Sequence, residues 1–385
     1  MRRQFHARAA LTIAALGALA SGCAGATEVH VRTADRSPGE RSTAAPRGAS
    51  GSSAPSTAAA EKQLGPGEDG PGEPVTIVFG GDIHYDGPLG DQLRRDSSVL
   101  LAGIAPAVES ADVAVANLET AVGTGGAKAT KSFNFLAPPE ALDAITAAGI
   151  DVIGMANNHS LDFGQEGFAQ TLAAIGERKA PVIGVGENEA AAYRPWTATV
   201  KGNRIAILDA TAVMDSNLVA SWTATATNPG VASAKRVDRL VQAVTEARAA
   251  SDTVVVFLHW GTEKMQCPDA TQKSLAPTLI QAGADVIVGT HAHRIQGGGF
   301  SGPAFIEYGL GNLQFKTSSD AARTIGLTRV TVDGRHVVSG EWLPARIDGN
   351  FRPQLLSGAA KDAAVQAWEA LRPCTGLSAE PAPVG

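Results

Sequence analysis

The sequence predicts an α/β fold with largely buried strands. Short β-branched apolar runs recur along the chain, and helical patterns fill the gaps between most of them. The closing runs follow one another without helices, which predicts that the fold ends in antiparallel hairpins.

In order, strands are expected at 75–80 (VTIVFG), 112–116 (DVAVA), 151–155, 181–185 and 204–208 (RIAIL). The series continues at 253–258 (TVVVFL), 285–289 (DVIVG), 304–308, 326–332 and 336–342. Helices are expected at 139–148, 165–178, 235–250 and 273–282. AGIDVIGMANNH (148–159) and AGADVIVGTHAH (282–293) share one grammar: a helix ending at glycine, a buried strand, a polar tip. Nothing else aligns between them, so no duplication is inferred.

With 385 residues, 44% of them hydrophobic, the chain can bury one large core or two modest ones. A net charge of -6 supplies no basic patch and argues against a nucleic-acid partner. After residue 25 no apolar run approaches membrane-spanning length.

Arg2, Arg3 and Arg8 precede an apolar run from Ala9 to Ala20, followed by Ser21, Gly22 and Cys23. That is the pattern of a secretory signal, and its run is too short for a comfortable membrane span. The cysteine after small residues resembles a bacterial lipobox. Residues 1–23 are therefore read as a lipoprotein-type signal, with Cys23 the lipid anchor of an extracytoplasmic protein on the bacterial cell membrane. Arg2-Arg3-Gln4-Phe5 also resembles a twin-arginine export signal, which carries folded proteins and suits metal loading before export. Residues 24–73, rich in Ala, Ser, Pro and Gly, lack apolar periodicity and are expected to be a disordered tether. A folded domain is expected over 74–375 and a disordered tail over 376–385. Cys267 and Cys374, an even pair in an exported domain, are expected to form a disulfide.

The residues that follow the strands are polar. Asp82 and His84 follow the first, Asn117 and Glu119 the second, and Asn157, Asn158, His159 and Asp162 the third. His259 follows the 253–258 run, and His291 and His293 follow 285–289. Ligands of open α/β sheets bind beyond the carboxyl ends of the strands, so these groups can converge. Five of the eight histidines fall in these tips. Imidazole, carboxylate and amide oxygen together suit Mn, Fe or Zn rather than Mg or Ca. Asp82, His84, Glu119, Asn158, His259, His291 and His293 are too many ligands for one tetrahedral ion. They suffice for two divalent ions sharing a carboxylate. His291 and His293 alternate along the chain, so on an ideal strand they share a face.

Taken singly, these signals have bland readings: a local hydrogen bond for Asp82-x-His84, a packed core histidine for His259 beside Trp260. Taken together, the bland reading needs five unrelated explanations at one end of one sheet, and a metal site needs one. Other chemistries lack their motifs, since the chain has no G-x-S-x-G elbow and no P-loop. GGGF at 297–300 reads as a flexible loop between strands.

The order Asp-x-His, acidic tip, Asn-His, His, His-x-His resembles the calcineurin-like metallophosphoesterases. More closely, GDI, ANLETAV, ANNHSLDFG, HWGTE, GADVIVGTHAHRIQG and YGLGNLQF resemble the CapA family of capsule, or poly-gamma-glutamate, synthesis proteins over about residues 75–316. This resemblance implies a metallophosphatase-like sandwich of two mixed β-sheets flanked by helices, in one domain. It assigns Asp82, His84 and His293 to one ion and Asn158, His259 and His291 to the other, with Glu119 bridging. It assigns His159 to the substrate phosphoryl or leaving group. Asp162 either orients that imidazole or caps the helix starting near Gly164.

Two positions depart from the patterns. Phosphoesterases usually carry Asp where Glu119 stands, and CapA-like chains more often carry an apolar residue at the position of His84. The resemblance implies action on an anionic or phosphorylated envelope polymer, as a metal-dependent phosphoester hydrolase. Its rival is a non-catalytic component that binds, anchors or exports the polymer.

Overall fold

A computed structural model describes residues 63–382. The expected signal, Cys23 and residues 24–62 of the expected tether lie outside the described residues. Two mixed sheets form the body of the fold. In the first, Val75–Ile83, Val113–Leu118, Val152–Gly154 and Val182–Ile183 run parallel. Thr324–Asp333, His336–Ile347 and Pro353–Leu355 extend it from the Val75 strand in antiparallel steps; the first two form the helix-free hairpin expected, and the third is a strand the sequence did not signal. In the second, Asn203–Thr211, Thr253–Trp260, Val286–His291 and Ala304–Glu307 run parallel. Trp196–Val200 and Gly298–Ser301 close its two edges antiparallel.

The apolar runs are continuous because both faces of the strands are buried. Ile77 and Phe79 point into the layer between the sheets, with Val115, Ile207, Val255, Phe257 and Val288. Val78 points the other way, into a cluster with Leu142, Ile145 and Phe168 from the helices Glu140–Ala147 and Gly164–Arg178. The second sheet is covered by Val237–Ala250 and Ala270–Ala282, whose Leu240, Val244, Leu275 and Leu279 meet Val254, Val256 and Leu258. Each such side chain, fully buried, is worth roughly 1.5–3 kcal/mol of transfer free energy. Few polar residues are buried within the strands, Asp209 and Thr328 among them, and most gather where the strands end. The two-sheet sandwich flanked by helices is thus the architecture that the resemblance implied.

Three sequence expectations are corrected at the periphery. GGGF is not a loop, because Gly298–Ser301 is an edge strand paired with Ala304–Glu307. A Cβ on Gly299 would lie 2.4 Å from the carbonyl oxygen of Ser378, so glycine is what lets another segment approach. That segment is the expected tail: Ser378 and Phe300 exchange backbone hydrogen bonds of 2.8 and 3.0 Å, and Ala382 N–H donates to Gly302 O. Residues 63–73, placed in the expected tether, instead run along the turns that precede the strands. Gly67 N–H donates to Arg335 O, Arg335 N–H returns a bond to Glu68 O, and Asn203 Nδ2 donates to Glu73 O. These residues find backbone partners that offset the cost of ordering them.

The expected disulfide is present: Cys267 and Cys374 are bridged, their Cα atoms 5.7 Å apart. It ties the loop after Trp260 to the short helix Arg372–Thr375. Among the described residues no helix is long and apolar enough to cross a membrane.

Candidate metal centre

Five parallel strands, three from one sheet and two from the other, end at the same pole of the sandwich. Their tips are joined across the sheets, where His291 N–H donates to Asp82 Oδ2 at 3.1 Å. Glu119 stands one residue past the Val113–Leu118 strand. Its N–H donates to Ile83 O at 2.7 Å, and this bond sets it beside Asp82.

Glu119 is fully buried, and neither of its carboxylate oxygens has a hydrogen-bond partner. A bare, buried carboxylate is costly unless something positive meets it. The surroundings are suited to a cation. Glu119, His259 and His291 present ligand atoms within 4.8 Å of one another, and so do Asp82, Glu119 and His293. Glu119 belongs to both groups, the place the resemblance gave it. Asn158 Oδ1 joins the first group, 2.7 Å from His259 Nε2, and His291 Nδ1 lies 3.1 Å from the same nitrogen. Each group therefore offers nitrogen and oxygen ligands of the kind that suit a divalent ion.

Two of the three histidines are held neutral. Burial pulls His259 down to about 3 and His291 well below its ordinary value, so both rings keep free lone pairs at neutral pH. Burial also lowers His293, but the Glu119 and Asp82 carboxylates outweigh it and leave that ring raised. Burial, then repulsion from Glu119, lifts Asp82 to about 6, and burial raises Glu119 as well. Positive charge at the pole would reverse these carboxylate shifts.

A second layer of residues orients the first. Thr290 Oγ1 is 2.9 Å from His259 Nδ1, and Asn312 Oδ1 is 2.8 Å from His293 Nδ1. Asn117 Nδ2 donates to Asp82 Oδ1 at 2.7 Å, while Asn157 Nδ2 donates to Asn117 Oδ1 at 3.1 Å. These partners fix which ring nitrogen faces the centre. Asn117 and Asn157 lie at carboxyl ends of strands, so the rule that found the ligands reaches them too, whereas Asn312 opens the strand Asn312–Gln314 and escapes it.

His291 and His293 come together by a different route from the one expected. They do not share a face of a strand. The Val286–His291 strand ends at the first of them, and both have positive φ, 85° and 51°. Left-handed backbone at two non-glycine residues costs about 1–3 kcal/mol each and persists where the surroundings enforce it.

His84 lies outside both ligand groups. Its Nε2 accepts the Lys316 N–H at 3.0 Å, and burial lowers the ring to about 3, so the neutral imidazole carries its proton on Nδ1. Held between Phe315 and Phe135, at centroid distances of 4.0 and 4.8 Å, the ring offers no free lone pair.

His159 stands over the centre with Nε2 3.8 Å from Glu119 Oε1 and its ring stacked on Phe135 at 4.3 Å. Its Nδ1 lies 2.6 Å from Asp162 Oδ2, which also receives the Phe135 N–H at 2.6 Å. Of the two contacts open to Asp162, the structure has the one to the imidazole. The helix Gly164–Arg178 has no side-chain cap. Sequence reasoning missed Lys131, whose ammonium donates to Asp162 Oδ1 at 2.9 Å from a loop with no periodic pattern.

The bacterial capsule synthesis protein PGA_cap family model matches residues 76–317. The capsule biosynthesis protein CapA of Bacillus anthracis is 31% identical over 252 residues, covering 63% of this chain and 60% of that protein. The PGA biosynthesis protein CapA of Bacillus subtilis is 29% identical over 247 residues, with 63% of each chain covered. This chain therefore spans about three fifths of the length of those relatives. Among solved structures, a hypothetical protein from Thermus thermophilus matches with a TM-score of 0.44 and 15% identity, over 70% of this chain and 98% of that one. By the match over residues 76–317, the chain belongs to the bacterial capsule synthesis protein PGA_cap family.

Proposed function

We propose that this chain is an extracytoplasmic, metal-dependent phosphoester hydrolase in the synthesis or processing of an anionic envelope polymer, lipid-anchored through Cys23. One observation carries the chemistry: Glu119, buried with both oxygens bare, belongs to two ligand groups at once. The capsule and PGA biosynthesis names of the relatives support the polymer.

Asp82, His293 and Glu119 would hold one divalent ion, and Asn158, His259, His291 and Glu119 the other. Such ions supply Lewis acidity, which polarises a phosphoryl oxygen and acidifies water. The residues supply the rest. In hydrolysis a bond forms from water oxygen to phosphorus as that water gives up a proton, the bond to the leaving oxygen breaks, and that oxygen takes a proton. With Nδ1 engaged by Asp162, Nε2 is the His159 atom free to hold that proton. Phe135 and Phe315 wall the site, and the apolar wall strengthens each charge interaction inside it.

Metal analysis of the purified chain, alongside a panel of phosphomonoesters and phosphodiesters, tests the reading. Two equivalents of Mn, Fe or Zn with turnover on one panel member is the expected result. Bound metal without turnover on any member would overturn the hydrolase and favour the binding component. Cys23→Ala is expected to release the protein or leave its signal uncleaved, and normal processing with unchanged membrane retention would overturn the anchor.

A further inference from the structure

Lys131 lies in the loop between two short paired strands, Ala121–Val122 and Leu136–Ala137. Its side chain is only 7% exposed, and a lysine that deep needs partners for its charge. An ammonium has three N–H donors. One goes to the backbone carbonyl of Asn158 and one to Asp162 Oδ1 at 2.9 Å. The Trp222 ring, with its centroid 5.4 Å from Nζ, covers the remaining side. Nζ also lies 3.3 Å from His159 Nδ1, so the ammonium meets the imidazole edge directly as well as through Asp162.

Those contacts fall on adjoining residues with different work. Asn158 offers its side-chain oxygen 2.7 Å from His259 Nε2, at the centre itself. Asp162 holds the Nδ1 edge of His159. The loop reinforces Asp162 and Lys131 itself: Ala129 N–H donates to Asp162 O at 2.8 Å, and Asn134 Nδ2 donates to Lys131 O at 3.3 Å.

We infer that Lys131 is a positioning residue that couples the Asn158 metal ligand to the His159–Asp162 pair through one ammonium. It fixes the Asn158 backbone so that the amide oxygen points inward. It also holds the Asp162 carboxylate where His159 must donate from Nδ1. This inference rests on the metal-site reading above, and its two measurements separate failure of one from failure of the other.

Lys131→Met keeps the methylene stem beneath Trp222 and removes the charge and donors. Mn²⁺ binding to the purified chain is measured by calorimetry. The His159 tautomer is read from nitrogen–proton correlations in the metal-free protein. The expected result is one Mn²⁺ site weakened roughly tenfold or more, as for other residues that orient ligands. His159 should also populate the Nε2–H form. Lys131→Arg, which restores a charged donor, should recover part of both signals. A role in folding alone would lower the melting temperature and leave the tautomer untouched. Unchanged Mn²⁺ affinity with His159 still protonated on Nδ1 in Lys131→Met would overturn the inference. Absence of Mn²⁺ binding in the parent would sink the metal reading, and the tautomer would still decide for or against Lys131.

Discussion

His159 Nδ1 and Asp162 Oδ2 are 2.6 Å apart within a single turn, and Nε2 on the far side of the same ring is 3.8 Å from Glu119 Oε1. One imidazole thus has a fixed edge and a working edge, while Asn158, its neighbour in sequence, faces His259.

That division separates two variants. Asn158→Ala should lower the occupancy of one metal ion. His159→Ala should keep both ions and lose roughly 10²–10⁴-fold in turnover, the usual contribution of a positioned acid–base group. Metal stoichiometry and rate, measured on both, decide the assignment. It is wrong if His159→Ala empties the site or leaves turnover unchanged.

For His84, placement and resemblance disagree. Its lone pair goes to the Lys316 N–H, so His84→Leu should retain two metal ions per chain. Elemental analysis of the variant checks this, and loss of one equivalent would restore His84 to the ligand set.

The disulfide closes a separation of 107 residues. In the chain-entropy model such a closure is worth on the order of 4 kcal/mol. The loop it holds also donates from Lys264 N–H to Ala292 O, the residue between His291 and His293. Replacing Cys267 and Cys374 by serine should lower stability by about that amount, read by urea unfolding. An unchanged midpoint would show that the bridge does not restrain the unfolded chain.

Glu307 gives a test with a pH signature. It is fully buried, Thr328 Oγ1 donates to its Oε2 at 3.1 Å, and burial pushes its carboxyl up to about 8. Between its ordinary value and about 8 the folded protein keeps this proton and the unfolded chain has lost it. Its contribution to stability is therefore fully present below that window and falls as pH rises through it, by at most about 1.4 kcal/mol per unit. Glu307→Gln keeps an acceptor for Thr328 and removes the ionisation. Its stability relative to the parent should climb across the window and level off above it. A difference that stays constant with pH in urea unfolding would refute the buried-acid reading.

The body of the fold and the ligands were legible for one physical reason. A strand buried on both faces leaves polar residues few places but its ends, so Val75–Ile83 points to Asp82 and Thr253–Trp260 points to His259. The missed elements lack such a signal. Trp196–Val200 is an edge strand with partly exposed positions, and Gly298–Ser301 is built on glycines whose purpose is to admit Ser378. Lys131 is invisible in sequence for a related reason. Its role depends on a loop folding back to Asn158 and Asp162, and no periodicity records such a return. The turn at His291 and His293 was misjudged because a two-residue spacing fits a pleat and a left-handed turn equally well.

The segment 63–73 has a mechanical consequence. It grips the turns that precede the strands, where Arg335 also donates to Asp285 Oδ1 at 2.9 Å, whereas Asp82, Glu119 and His291 lie where the strands finish. Any chain before Gln63 pulls on the domain at that starting end. Force applied there loads the 63–73 hydrogen bonds first and has to cross the whole length of the sheets to reach the centre. In a pulling experiment those residues should peel away at low force while the strand tips hold their geometry. The protein can be tugged by one end without disturbing the chemistry at the other.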